Sequence, residues 1–197
     1  PSFRREERAL REQAGQILDF LGLSRRAGEL AANLSYGEQR LLGVGIALAA
    51  KAIKPSIRVI GITMDRGAAM FEALRAGRPV EVGEVVSLAD SLGGGIGLDN
   101  RLTLSLCRDL LDDTVLVTEE EIYDAMQTLY YEDRIVAEGA SVVGIAALKA
   151  GKLPVFDGPV ATIVTGRNVD MATFTDIVAG RDVVLGDLML KGRAYVA

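Results

Sequence analysis

Chemistry in this chain is confined to a few short stretches. Leu34-Ser35-Tyr36-Gly37-Glu38-Gln39-Arg40 follows one apolar helix and opens another. Small residues at a helix start leave backbone N–H groups exposed where the helix dipole is positive, which suits an anion. Ser35 serves equally well as a plain helix cap. Further along, Thr165 ends an apolar run read as a strand, the position where open α/β sheets bind ligands. Its hydroxyl also suits a hydrogen bond to the next turn. Glu138 stands at the start of a helix, where the dipole favours an acid whether or not it has a function. Gly93-Gly94-Gly95 permits close approach to a ligand or simply forms a loop. Asp112-Asp113 and Glu119-Glu120-Glu121 carry the charge to hold a cation, and equally bracket a strand and open a helix.

Other chemistry is excluded by composition. The 197 residues contain no histidine, which removes the commonest general base, the Ser-His-Asp arrangement and most zinc sites. A single cysteine, Cys107, excludes an internal disulfide framework and fits a reducing, cytoplasmic setting. The net charge of -5 argues against a nucleic-acid surface. No apolar run is long enough to span a bilayer, and no signal-peptide pattern opens the chain, which begins at Pro1 rather than Met.

The elements that must position these residues read as helices alternating with strands. Helical spacing predicts helices over Phe3–Leu21, stopped by Gly22, over Arg25–Ala32 and over Glu38–Lys51. Ile57–Ile62 is a branched apolar run read as a buried strand. A helix over Arg66–Ala76 ends at Gly77, and Val82–Val86 is extended. Leu98–Leu111 is helical, and Thr114–Val117 is a strand. Thr118 and Glu121 form a capping box that opens the next helix. Ala140–Ala150 is helical, Val160–Val164 is a strand, and Asp170 caps a last helix. The fold class is therefore α/β, a partial parallel sheet flanked by helices with an N-terminal helical segment.

Several stretches carry a family resemblance. They are Ala47-Leu48-Ala49-Ala50-Lys51-Ala52-Ile53-Lys54-Pro55, Ile57-Arg58-Val59-Ile60-Gly61, Leu88-Ala89-Asp90, Val136-Ala137-Glu138-Gly139-Ala140 and Thr165-Gly166-Arg167-Asn168-Val169-Asp170. In this order and spacing they resemble fold-type-II pyridoxal-phosphate (PLP) enzymes, the tryptophan-synthase-β-like class, and in particular threonine and serine dehydratases. Arg66-Gly67-Ala68-Ala69-Met70 and Ser91–Gly97 lean toward the dehydratase of hydroxyectoine use. The resemblance implies a PLP cofactor, a hydroxy amino acid as substrate and a homo-oligomer. It also implies cofactor contacts at Thr165, Glu138, Gly166 and Asn168, with the Thr165 hydroxyl on the pyridine nitrogen. A neutral hydroxyl there leaves the nitrogen unprotonated, which suits β-elimination. Where relatives place acidic metal ligands, this chain has Thr63, Gly67 and Ala69, so no metal site is assigned.

The family's Schiff-base lysine belongs far upstream, in a Ser-x-Lys context. Lys51, Lys54, Lys149, Lys152 and Lys191 all lie outside that motif, and Pro1-Ser2-Phe3-Arg4 only imitates it. The tetraglycine phosphate loop should fall at Glu38-Gln39-Arg40-Leu41, and no such loop stands there. No catalytic residue is therefore assigned. The stretch from Pro1 through Ile17–Leu23 and Leu34–Arg40 to Ala50 instead resembles the ATPase subunits of branched-chain amino acid ABC transporters. That resemblance implies nucleotide contacts at Ser35, Gly37 and Gln39. No Gly-x-x-x-x-Gly-Lys-Ser/Thr loop accompanies it. The division expected is 1–50 as the ATPase-like segment and 51–197 as the C-terminal part of a dehydratase domain, joined through an apolar helix common to both. The function implied is a PLP-dependent dehydratase, or ammonia-lyase, present as a fragment that is inactive alone. The alternatives are a nucleotide-binding fragment and a nonfunctional fusion or interaction module.

Overall fold

The structure is a computed structural model that describes residues 2–29 and 36–196. It separates into two compact units, one of residues 1–59 with 101–112, the other of 60–100 with 113–197.

The first unit is helical. It contains α1 (Ser2–Phe20), α2 (Tyr36–Ile53) and α4 (Leu102–Leu110). α1 stops where Gly22 takes φ 72°. There Leu23 N–H donates to Leu18 O and Gly22 N–H to Asp19 O, the paired bonds of a Schellman ending. The chain then buries Leu21 and Leu23. Gly45 of α2 makes room for this: a Cβ there would lie 2.7 Å from Leu21 Cδ1. The helix anticipated over Arg25–Ala32 is only a short 3-10 turn, Ser24–Arg26, with residues 30–32 outside the described ones. In the same unit Asp112 accepts from Lys51 Nζ at 2.6 Å and Val59 N–H at 2.7 Å. Those two bonds hold its carboxyl below the ordinary carboxylate range.

The second unit carries the sheet. β1 (Ile60–Met64) and β2 (Asp113–Val117) pair in parallel, Ile60 opposite Asp113 through Met64 opposite Val117. α3 (Ala69–Ala76) follows β1 and ends at Gly77 with φ 68°. α5 (Glu119–Asp133) follows β2 directly. Its N-cap Thr118 accepts from Glu121 N–H while the Glu121 carboxylate accepts from Thr118 N–H, so the capping box forms in full. α6 (Gly139–Lys149) packs along α5, and α7 (Met171–Val178) is capped by the Asp170 carboxylate on Thr173 N–H at 2.8 Å. The core joins Met64, Val117, Ile122, Met126, Val142, Ala146, Phe174 and Ile177.

Two strand expectations need correction. The first strand begins at Ile60 rather than Ile57, because the ladder with β2 starts there. Val160–Val164 forms no strand. A strand exists only where another supplies hydrogen-bond partners, and among the described residues none lies alongside this one. An antiparallel hairpin beyond the expected elements joins β3 (Val183–Leu185) and β4 (Leu188–Leu190), turned by Gly186 at φ 57° and Asp187. Gln127 ties the chain end to α7, its amide donating to Ile177 O at 2.7 Å and Arg193 O at 2.8 Å.

Candidate functional site

α6 begins between two close-packed segments. A Cβ on Gly139 would fall 2.2 Å from Leu88 O, so only glycine lets the Leu88–Ala89 backbone touch the helix start. On another side, residues 138, 141 and 144, three apart, line up against the stretch 162–166. A Cβ on Gly144 would fall 2.1 Å from Thr162 Oγ1. Ser141 Oγ lies 2.9 Å from Thr165 Oγ1. A Cβ on Gly166 would fall 2.5 Å from Glu138 Oε1. Residues three apart share a helix face, so this row holds residues 162–166 without a β-ladder.

Glu138, Thr165 and Gly166 are thus brought together, as the sequence implied, and Ser141 links them. Ser141 is only 2% exposed. Its Oγ accepts from Gly166 N–H at 2.8 Å and can donate to Gly166 O at 3.0 Å or, more weakly, to Glu138 Oε1 at 3.5 Å. Glu138 is the N-cap residue of α6, but its carboxylate does not cap the helix. It points toward Gly166 and Ser141 instead. Burial first, then the nearby charge of Asp90, raise its pKa above the ordinary range, against the lowering effect of the Ser141 hydroxyl. Thr165 is exposed. Asn168 is exposed two residues beyond Gly166.

Glu121 takes a structural role: it completes the capping box and pairs with Lys152 at 2.7 Å. Gly93–Gly95 follow a 3-10 turn at Asp90–Leu92, with Gly94 at φ 80°. Ser35 lies outside the described residues, and Gly37 falls in the first turn of α2, ahead of Gln39.

Ser141 was not among the candidates, and Glu119 was one only as part of an acidic run. Ser141 sits in an apolar helix and reads as filler; its only signal is the spacing of three to Glu138 and Gly144. Glu119, first residue of α5, is 3% exposed. Its Oε2 accepts from Leu88 N–H at 2.8 Å, while Oε1 has no hydrogen-bond partner among the described residues. Burial raises its pKa, against the lowering effects of Ser87, Leu88 N–H and Arg66. The carboxylate holds the same Leu88–Ala89 segment that Gly139 admits.

A parallel strand pair with helices following each strand makes this an α/β unit. The sequence model of the family described as "Pyridoxal-phosphate dependent enzyme" matches residues 41–166, and the chain belongs to that family. A putative threonine dehydratase of Sinorhizobium fredii (strain NBRC 101917 / NGR234) is 50% identical over 139 residues, which is 71% of this chain and 42% of the relative. The catabolic L-threonine dehydratase of Escherichia coli strain K12 is 35% identical over 135 residues, 68% of this chain and 40% of that protein. Among solved structures, maize serine racemase superposes with a TM-score of 0.61 at 31% identity, covering 69% of this chain and 42% of the racemase. The chain therefore spans about two fifths of the length of the curated relatives it matches.

Pyridoxal phosphate is the cofactor of this family. The residues present fit one end of it. The hydroxyl of exposed Thr165, backed by buried Ser141, suits a ring nitrogen. At the aldehyde end no lysine is assigned: Lys152 is engaged by Leu116 O and Glu121, Lys51 by Asp112, and Lys191 by Asp182.

Proposed function

We propose that this chain is the C-terminal part of a PLP-dependent dehydratase, or ammonia-lyase, acting on a hydroxy amino acid of the threonine or serine kind. In this reading it supplies the face of the site that recognises the cofactor ring. Pyridoxal phosphate, when bound, provides the electron sink for loss of the α-proton and the β-hydroxyl from such a substrate. Thr165 contributes a hydrogen bond at the ring nitrogen. Gly166, lacking a side chain, leaves space for the Glu138 carboxyl close beside it. Glu138 holds a carboxyl whose burial favours the protonated form. The observation that carries the proposal is the convergence of Glu138, Ser141, Thr165 and Gly166 within residues 41–166, the part of the chain that matches the family. The substrate class follows the relatives' names, and a homo-oligomer and a cytoplasmic setting are proposed with it.

The 197 residues do not complete that enzyme. No lysine stands in the motif that would bond the cofactor, and no tetraglycine stands at Glu38–Leu41. The chain alone should take up pyridoxal phosphate reversibly, with no visible band that borohydride fixes to protein, and release no ammonia from threonine or serine. A borohydride-fixed adduct on one lysine, or turnover, would overturn the reading of an inactive part. Failure to take up the cofactor at all would sink the ring-recognition reading.

The nucleotide reading rests on Leu34–Arg40 and the leading helix, with 1–50 as a segment of separate origin. Calorimetry with ATP tests it: heat of binding that Gln39→Ala abolishes would favour it over the dehydratase reading.

A further inference from the structure

We infer that Ser141 is the positioning residue for the ring-binding hydroxyl: it turns the Thr165 proton outward, toward an acceptor atom of the ligand. This deepens the ring-recognition reading and rests on it.

The argument is one of hydrogen counting. A serine hydroxyl has one proton and two lone pairs. Gly166 N–H, 2.8 Å away, occupies one lone pair of Ser141 Oγ. Three acceptors then compete for the single proton: Thr165 Oγ1 at 2.9 Å, Gly166 O at 3.0 Å and Glu138 Oε1 at 3.5 Å. The last is at the limit of a hydrogen bond and loses the competition. Gly166 O already accepts from Glu138 N–H at 3.2 Å. Thr165 Oγ1 is the nearest acceptor, and no other protein hydrogen bond reaches it among the described residues.

Two chains of bonds can be drawn. In the first, Gly166 N–H donates to Ser141, Ser141 donates to Thr165, and Thr165 donates outward. In the second, Thr165 donates to Ser141 and Ser141 to Gly166 O, leaving only lone pairs facing outward. An unprotonated ring nitrogen has a lone pair and no proton, so it stabilises the first chain and rejects the second. A protonated ring nitrogen does the reverse. The 2.9 Å contact between Ser141 and Thr165 serves either chain, so the ring nitrogen's lone pair is what selects the first. Ser141 is buried and cannot touch the ligand, and so acts wholly through Thr165.

The test uses pyridoxine 5'-phosphate labelled with nitrogen-15 in the ring. It lacks an aldehyde, so no lysine is needed. Binding is read by titration, and the ring nitrogen by its NMR shift in the bound state. The wild-type chain should move that shift from the free neutral value toward that of a hydrogen-bonded nitrogen. Ser141→Ala and Thr165→Val should each return it to the free value while binding about three- to tenfold more weakly, the usual net worth of one hydrogen bond. The double variant should be no worse than Thr165→Val alone, and Thr165→Ser should keep the wild-type shift. If Ser141→Ala does not fold, Ser141→Cys keeps the volume with a weaker donor, and its shift should fall between wild type and free.

Ser141→Ala or Ser141→Cys with an unaltered wild-type shift would overturn the inference and leave ring recognition standing. So would a folded Ser141→Ala that loses all binding while Thr165→Val retains it, since Ser141 would then be packing alone. A wild-type chain that does not bind the probe overturns the ring-recognition reading and this inference together.

Discussion

β2, Asp-Thr-Val-Leu-Val, and the stretch Val160–Val164, Val-Ala-Thr-Ile-Val, are close to interchangeable as sequences. They end differently. β2 pairs residue for residue with β1, and Val117 is wholly buried. Val160, Ile163 and Val164 are 47%, 50% and 39% exposed, and the stretch has no ladder. The difference lies in the neighbours. β-propensity describes fit to a pleated, half-buried surface, and β1 offers that surface to one stretch only. The second is placed by side-chain and glycine contacts on α6, which fix its position without covering its apolar face. An apolar stretch left in this state is an aggregation hazard.

The comparison can be broken at its strong side first. Met64→Ala, opposite Val117 at the end of the ladder, should cost about 2–5 kcal/mol in urea denaturation, the range for truncating a buried large side chain. A loss below about 1 kcal/mol would mean that the ladder is no better packed than Val160–Val164. Next comes α6. Gly139→Ala gains helix propensity but drives a Cβ into the Leu88 carbonyl, so the net should be a loss of about 1–3 kcal/mol. A stabilised variant would show that the Leu88–Ala89 backbone yields freely. Thr118→Ala removes the capping box behind β2 and should cost about 0.5–2 kcal/mol.

Glu119 sharpens the picture through pH. Its folded pKa is raised above its ordinary value of 4.5, so the folded state holds its proton more tightly than the unfolded chain does. Its contribution to stability should therefore fall as pH rises from below 4.5 through the raised folded value, then level off. Subtracting the pH profile of Glu119→Gln from that of wild type should isolate this downward slope. An upward slope would show that the Leu88 N–H and Ser87 outweigh burial. Smallest of all, Ile163→Ala should change stability by less than about 0.5 kcal/mol, as expected for an exposed position. A loss like that of Met64→Ala would mean that Ile163 is covered in solution.

Local signals were the legible part of this fold. Thr118 with Glu121, Asp170 as a cap, and Gly22 and Gly77 as stops are short-range patterns whose partners sit within five residues, and all took the form expected. The parallel pair β1 and β2 followed from alternation with helices. Val160–Val164 misled because a strand is a property of two stretches, and its neighbour is not written in its own residues. The hairpin at Gly186-Asp187 was marked by a glycine between apolar triplets and overlooked because each strand has only three residues. At the site, Glu138, Thr165 and Gly166 were picked from family order. Ser141 could not be, because its role depends on a segment 24 residues away. Glu119 reads as an ordinary first-turn acid until its burial is known.

The row of α6 residues against 162–166 has a consequence for cleavage. Just before that row the chain runs through Val155, 96% exposed, in an irregular stretch that includes Gly158. Exposed irregular segments are where proteases enter. Limited digestion should nick the chain there. Because Gly144, Ser141 and Glu138 lie on one side of the cut and their partners at 162–166 on the other, the new chain end should stay in its place on the helix. The two pieces would then migrate together under native conditions and separate only when denatured.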